Sequence, residues 1–236
     1  TSANFVALTG EVAAHELGHM AGLRHGDAFG PIGSGIYSGV DPSLYYPVYT
    51  GPTGATETPR HVMSSPLSVG STLNDALQQT YFGEREAIKL AFNETGDTVR
   101  ESGTGVNSHA TFATAEALGA LPGLYVPNTL LDPSEPNYGK QFNVGALAVV
   151  GDISSQNGVA EQDVYSFVGS AGDLMNFELI SQSLQPPRGG TFDTTLALYD
   201  AHGNLVAYND DEFESHDSTI IDVHLPSSGV YYLVVK

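Results

Sequence analysis

Thr219-Ile220-Ile221-Asp222-Val223-His224-Leu225 and Leu174-Met175-Asn176-Phe177-Glu178-Leu179-Ile180 carry the same grammar. In the first, Ile221, Val223 and Leu225 are apolar and Asp222 and His224 polar; in the second, Met175, Phe177 and Leu179 alternate with Asn176 and Glu178. A period of two sends alternate side chains to opposite faces, which predicts half-buried strands. Working outward, further strands are predicted at 163–168, 195–199, 205–208 and 230–235, and Asp200-Ala201-His202-Gly203-Asn204 supplies a hairpin turn between two of them. Many short alternating strands without intervening helices predict an antiparallel sandwich. No repeat of tens of residues is visible, and the Gly-Gly-x-Gly-x-Asp calcium repeat is absent.

Towards the N-terminus the pattern changes. Residues 94–108 are polar and glycine-containing, with little to bury, and are read as a linker between a first domain at 1–93 and the sandwich at 109–236. In the first domain, helical spacing predicts a helix over 8–21 with Thr9 as its N-cap, and a second over 82–92. Residues 26–59, rich in Gly, Pro, Ser and Tyr, read as a long irregular connection. The fold class expected is α+β with two domains.

The 236 residues, 41% hydrophobic, are enough for two packed domains. Twenty-seven acidic against eight basic residues give a net charge of -19, which repels nucleic acid and anionic membrane surfaces. No run approaches the ~18 apolar residues of a membrane span. With no cysteine, disulfides, thiolate metal sites and a cysteine nucleophile are excluded.

The first helix contains His15-Glu16-Leu17-Gly18-His19-Met20-Ala21-Gly22-Leu23-Arg24-His25. Histidines four apart lie above one another on a helix face, so both imidazoles reach one ion. Gly22 permits a sharp turn that brings His25 round as a third ligand. Three protein ligands leave a fourth tetrahedral position open, the mark of a catalytic zinc site, and Glu16 stands beside it to take a proton from metal-bound water.

This segment resembles the metzincin metallopeptidases, and the likeness continues at His61-Val62-Met63-Ser64-Ser65-Pro66, where Met63 would be the turn methionine beneath the metal. The resemblance covers about residues 1–93. It implies the helical lower subdomain of a metzincin and zinc-dependent endopeptidase activity on protein or peptide substrates. His61 is read as a surface residue and Asp27 as a solvent-facing loop acid. The tyrosine that follows the methionine by two in some branches is Ser65 here. Metzincins also carry a substrate-binding sheet ahead of the zinc helix, and only about seven residues precede it here; the chain is therefore read as an N-terminally truncated fragment, inactive as it stands.

A second resemblance runs through Gln162-Asp163-Val164-Tyr165-Ser166-Phe167, Ala171-Gly172-Asp173, Phe192 to Asp200, Tyr208-Asn209-Asp210-Asp211, Asp217-Ser218 and Ser228 to Tyr232. These segments resemble the bacterial pre-peptidase C-terminal domain, a jelly-roll-like β-sandwich appended to secreted peptidases and related to collagen-binding modules. The resemblance implies an extracellular protein. It also makes Asp163, Asp210 and Asp211 candidate calcium ligands, since some relatives bind that ion. Zinc, and calcium as a second cation, are the cofactors expected. The alternative to a zinc endopeptidase is a non-catalytic secretion-assisting or protein- or collagen-binding sandwich with a remnant zinc helix.

Overall fold

The computed structural model describes residues 2–36, 52–57, 60–65, 80–103, 105, 108–127, 129, 131–141, 143–156, 158–181, 193–212 and 215–236. The chain divides into two compact units: one of Thr1–Ser38, Thr53–Asp97 and Pro122–Leu147, the other of Gly39–Pro52, Thr98–Leu121 and Ala148–Lys236. It is mostly β, with two α-helices among the described residues; the helical metzincin subdomain expected from the sequence is not shown.

In the first unit, helix α1 spans Ser2–Met20 and so begins well before the predicted start. Thr9 is an interior residue rather than an N-cap: its hydroxyl donates to the Phe5 carbonyl at 2.8 Å, one turn back along the helix. Phe5, Val6, Val12, Leu17 and Met20 are exposed on α1. The helix ends where the sequence predicted. Gly22 sits at φ +84°, its N–H reaching the His19 carbonyl at 3.0 Å while the Leu23 N–H reaches the Gly18 carbonyl at 3.0 Å. This pair of bonds is a Schellman cap, with buried Leu23 as its apolar anchor.

Helix α2 spans Glu84–Thr95. Gly83 caps it, and the Glu86 carboxylate returns to accept the Gly83 N–H at 2.5 Å, satisfying one of the orphan donors of the first turn. Its apolar face, Ala87 and Ala91 with Ile88 and Phe92, packs on Leu124, Val126, Leu131, Val144 and Ala146. Those partners lie beyond the predicted linker, so 122–147 groups with the first unit and not with the sandwich. The predicted linker itself contains the end of α2 and an ordered strand, Asp97–Arg100. Of the connection 26–59, the described part holds a 3-10 turn at His25–Ala28 and a two-residue ladder pairing Phe29–Gly30 with Thr56–Glu57; 37–51 and 58–59 lie outside the described residues.

The second unit is built from β1 (Glu116–Ala117), β2 (Asp163–Gly169), β3 (Leu174–Glu178), β4 (Leu196–Asp200), β5 (Leu205–Asn209), β6 (Thr219–His224) and β7 (Gly229–Val235). One sheet runs β5-β4-β7-β2-β1, and β3 pairs with β6 as a separate ribbon. All pairs are antiparallel except β1 with β2. The core between them is Tyr165, Phe167, Leu196, Leu198, Ile220, Leu225, Tyr231 and Val235, joined by Met175, Phe177 and Leu179. On the other face of the five-stranded sheet, Val164, Ala197 and Val234 gather Ala115, Tyr199, Tyr208 and Tyr232.

The predicted strands match within two residues, and the Asp200 turn forms: the Asp200 Oδ1 accepts the His202 and Asn204 N–H groups at 2.9 and 2.8 Å. The phase of β6 differs from expectation. Its register with β3 shifts between Met175 and Phe177, and Asp222 lies at φ 52°, buried, with its N–H on the Asn176 side-chain oxygen at 3.0 Å. This extra residue makes Ile220, rather than Ile221, the inward side chain.

Candidate metal centre

The Schellman cap that closes α1 also assembles three imidazoles. His15 and His19 project from α1 one turn apart, and His25 enters from the 3-10 turn that follows Gly22. Their ring centroids form a near-equilateral triangle of 4.8, 5.1 and 4.9 Å. The His15 and His25 Nε2 atoms are 3.1 Å apart. Two nitrogens bound tetrahedrally to one zinc at 2.0 to 2.1 Å stand roughly 3.3 Å apart, so this spacing suits a shared ion.

The other nitrogen of two of these rings is anchored. His15 Nδ1 lies 2.8 Å from the Val62 carbonyl, and His19 Nδ1 lies 3.1 Å from the Leu23 carbonyl. A carbonyl only accepts, so each Nδ1 carries the proton and each Nε2 presents its lone pair. The Leu23 carbonyl is available because Gly22 reverses the chain just ahead of it. The donor set therefore fits zinc, with the rings of His15 and His19 oriented by fixed hydrogen bonds.

Met63 is fully buried with Leu23 and Ala28, against Val62 and Leu90. A Cβ built on Gly18 would overlap its sulfur, so the thioether packs directly under the backbone between His15 and His19. Glu16 is exposed on α1. Ser65 directs its N–H and its hydroxyl to the Glu57 carboxylate.

Two readings of neighbouring residues are corrected. His61 is buried, not at the surface: its Nδ1 donates to the Ala28 carbonyl at 2.8 Å and its Nε2 faces Glu135 at 3.3 Å. Burial lowers its pKa, but the hydrogen bond to Glu135, the Glu86 charge and the Ala28 carbonyl outweigh that and raise it above the usual imidazole value. Asp27 is buried too, accepting the Arg24 N–H at 2.8 Å and pairing with Lys89 at 2.9 Å.

Sequence reasoning missed the buried acids around this floor. Glu86 is fully buried and accepts the Met63 N–H at 2.7 Å. Burial pushes its carboxyl up to about 7, against the Gly83 N–H, the His61 charge and the Met63 N–H, which pull it down. Glu84 accepts the Ile32 and Asn137 N–H groups at 3.1 and 3.0 Å, and burial likewise raises its pKa. The one sequence signal was the position of Glu84 and Glu86 in the first turn of α2, where a carboxylate meets unpaired N–H groups.

The three candidate calcium ligands do not form one site. Asp163 opens β2 and stands in register with Val235 of β7, which faces Leu196 of β4, which faces Asn209 of β5. Asp210 and Asp211 follow β5 and so lie three strand spacings away, about 14 Å. Asp211 instead meets Asp193 and His216. Asp163 is buried beside His109, Glu101 and Glu161, where burial pushes its carboxyl up to about 6, His109 opposing and the Glu101, Glu161 and Glu116 charges assisting.

The chain is 32% identical over 110 residues to a probable subtilase-type serine protease of Deinococcus radiodurans, a match covering 45% of this chain and 14% of that protein. This overturns the expectation of a metzincin-type zinc metalloendopeptidase: the activity named for the relative is that of a serine protease. No helix among the described residues is long and apolar enough to cross a membrane. Residues 161–236 match the family model of the bacterial pre-peptidase C-terminal domain, and with strands β2 to β7 they are such a domain.

Proposed function

We propose that this chain serves a secreted, protease-associated protein, in which the pre-peptidase C-terminal sandwich accompanies a unit that binds zinc through His15, His19 and His25. The observation that carries the zinc assignment is the pair of Nδ1 to carbonyl bonds, on Val62 and Leu23, that turn two Nε2 lone pairs towards a common point with His25. A bound zinc supplies Lewis acidity at an open fourth position. Glu16, adjacent to His15 and exposed on α1, would be the proton acceptor there, and buried Met63 packs under the helix between His15 and His19. Protein or peptide segments are the partner class that a protease-associated module meets. Metallopeptidase turnover is not assigned to the chain.

The test is zinc content after chelator treatment, reloading and gel filtration. One zinc equivalent is lost on His15→Ala and again on His19→Ala, relative to the unsubstituted chain, while Glu16→Gln keeps it. Full zinc content in both histidine variants sinks the assignment. A second reading, peptide binding by the sandwich, is favoured by a cleft of about 150 Å³ lined by Phe112, Tyr199, Tyr208 and Val234. Loss of gelatin binding on Tyr208→Ala supports it, and no binding by the parent chain refutes it.

A further inference from the structure

Each of the two anchored histidines leans on a peptide group whose other side is gripped by a buried carboxylate. The carbonyl beside His15 Nδ1 belongs to Val62, and the N–H of that same peptide unit is the one Met63 donates to Glu86 at 2.7 Å. The carbonyl beside His19 Nδ1 belongs to Leu23, and the N–H of that same unit is the one Arg24 donates to Asp27 at 2.8 Å. In a trans peptide the C=O and N–H point in opposite directions, so one planar group spans each carboxylate and its imidazole. On the zinc reading of His15, His19 and His25, we propose that Glu86 and Asp27 are positioning residues for the metal site. Each acts through a single peptide group to strengthen the hydrogen bond that orients a ligand histidine.

The physical basis is polarisation. A carboxylate at the N–H end draws the peptide towards its charge-separated resonance form, which puts more negative charge on the carbonyl oxygen. That oxygen then holds the Nδ1–H more tightly and makes Nε2 a better electron-pair donor. Both carboxylates are fixed and shielded from water. Glu86 is fully buried and takes the Gly83 N–H at 2.5 Å on its other oxygen. Asp27 is buried and pairs with Lys89 of α2 at 2.9 Å. Helix α2 therefore reaches both relays, directly through Glu86 and by way of Lys89 to Asp27, although it carries none of the three histidines.

The charge on Glu86 distinguishes a relay from a simple prop. Burial pushes its carboxyl up to about 7, so at pH 6 the side chain is mostly neutral and at pH 8 mostly charged. The groups facing it are His61, which opposes the shift, and Asp27, which assists it. His61 in turn faces Glu135 and lies near Asp132, and Asp27 is held by Lys89. Glu86→Gln keeps the shape and removes the charge.

The experiment measures the zinc affinity of the full chain and of its Glu86→Gln variant by competition with a chelating indicator at pH 6 and pH 8. Protonation of the ligand histidines affects both proteins alike and cancels in their ratio. Glu86→Gln binds zinc about tenfold more weakly at pH 8, and the gap closes to about twofold or less at pH 6, where both side chains are mostly neutral. In zinc-loaded protein the His15 Nδ1–H proton resonance moves upfield in Glu86→Gln while that of His19 stays, and Asp27→Asn does the reverse. In the unsubstituted chain, raising the pH from 5 to 8 moves the His15 resonance downfield, which tests the relay even where a variant does not fold. No zinc uptake by the unsubstituted chain overturns the site and the relay with it. Zinc uptake with the same affinity ratio at both pH values, or with neither resonance responding, overturns the relay and leaves the site standing.

Discussion

Gly18→Ala separates two opposed effects at the floor of the histidine cluster. On helix propensity alone, alanine in the interior of α1 stabilises by about 1 kcal/mol. The structure predicts the reverse, because the new Cβ overlaps the Met63 sulfur and meets Leu23 Cδ1 and Met63 Cε, each at 3.5 Å. Met63 is fully buried and Leu23 nearly so, so neither can swing into solvent. Overpacking of this kind costs about 1–3 kcal/mol, which leaves a net loss of up to about 2 kcal/mol after the propensity gain. The displaced backbone carries His15 and His19 with it, and zinc affinity falls by about ten- to a hundredfold, as when other supporting contacts of a metal site are lost. Gly10→Ala is the internal control: it lies on the same helix with nothing within 4 Å of its Cβ position, and it stabilises by the propensity term. Met63→Ala alone leaves a cavity and costs about 2–5 kcal/mol; combined with Gly18→Ala, the new methyl fills part of that space, so the double variant is more stable than the sum of the singles requires. Urea unfolding of the zinc-free protein and competitive zinc titration read both quantities. A Gly18→Ala protein that gains stability as Gly10→Ala does, with unchanged zinc affinity, refutes the account of Met63 as a close-packed floor.

Glu86 makes the first unit sensitive to pH. Its folded pKa, about 7, lies above the unfolded value of 4.5, so its contribution is fully present below pH 4.5 and is lost as pH rises through 7, by about 3 kcal/mol. Urea unfolding of zinc-free protein from pH 5 to 8 should show this slope, and Glu86→Gln should flatten it; an equal slope in the variant counts against the assignment. Gly22→Ala forces a side chain into φ +84°, costs about 1 kcal/mol and moves the Leu23 carbonyl from His19; unchanged zinc retention would show that the cap does not orient the ligand. Tyr231→Phe removes a hydroxyl that donates to the Ser227 carbonyl at 2.6 Å and accepts the Ser227 N–H at 3.2 Å. The expected loss is about 1 kcal/mol in the sandwich, and none at all would mean that water replaces the bond without penalty.

Local rules made part of this molecule legible. Strands β2 to β7 could be read as short apolar or alternating runs bounded by turns, although Val164, Ala197 and Val234 bury the second face of β2, β4 and β7 as well, and the Asp200 turn because its carboxylate bonds its own backbone. The His15, His19, His25 cluster was readable because all three side chains are placed by one helix period and one glycine. What escaped depends on residues remote in sequence. The phase of β6 is decided by Asn176 on the facing strand, which bonds the Asp222 N–H; nothing within residues 219–225 marks the extra residue. The division into units escaped because the apolar face of α2 finds its partners at Leu124, Val126 and Leu131, past a polar stretch that locally resembles a linker.

The acids were the hardest to place, for an electrostatic reason. In sequence Glu84-Arg85-Glu86 looks like a solvated helix face, and Glu101 like part of a flexible connection. A carboxylate survives burial only where N–H or hydroxyl donors replace its water. Those donors are the backbone N–H groups of Ile32 and Asn137 for Glu84, of Met63 for Glu86 and of Asp152 for Glu101, together with the Tyr165 hydroxyl. None is visible as a residue type, because most are main chain and belong to segments more than twenty residues away. The net charge of -19 therefore overstates how acidic the surface is. Part of that charge lies inside, where it is held by directed hydrogen bonds, and burial raises the Glu86 carboxyl to about 7 and the Asp163 carboxyl to about 6.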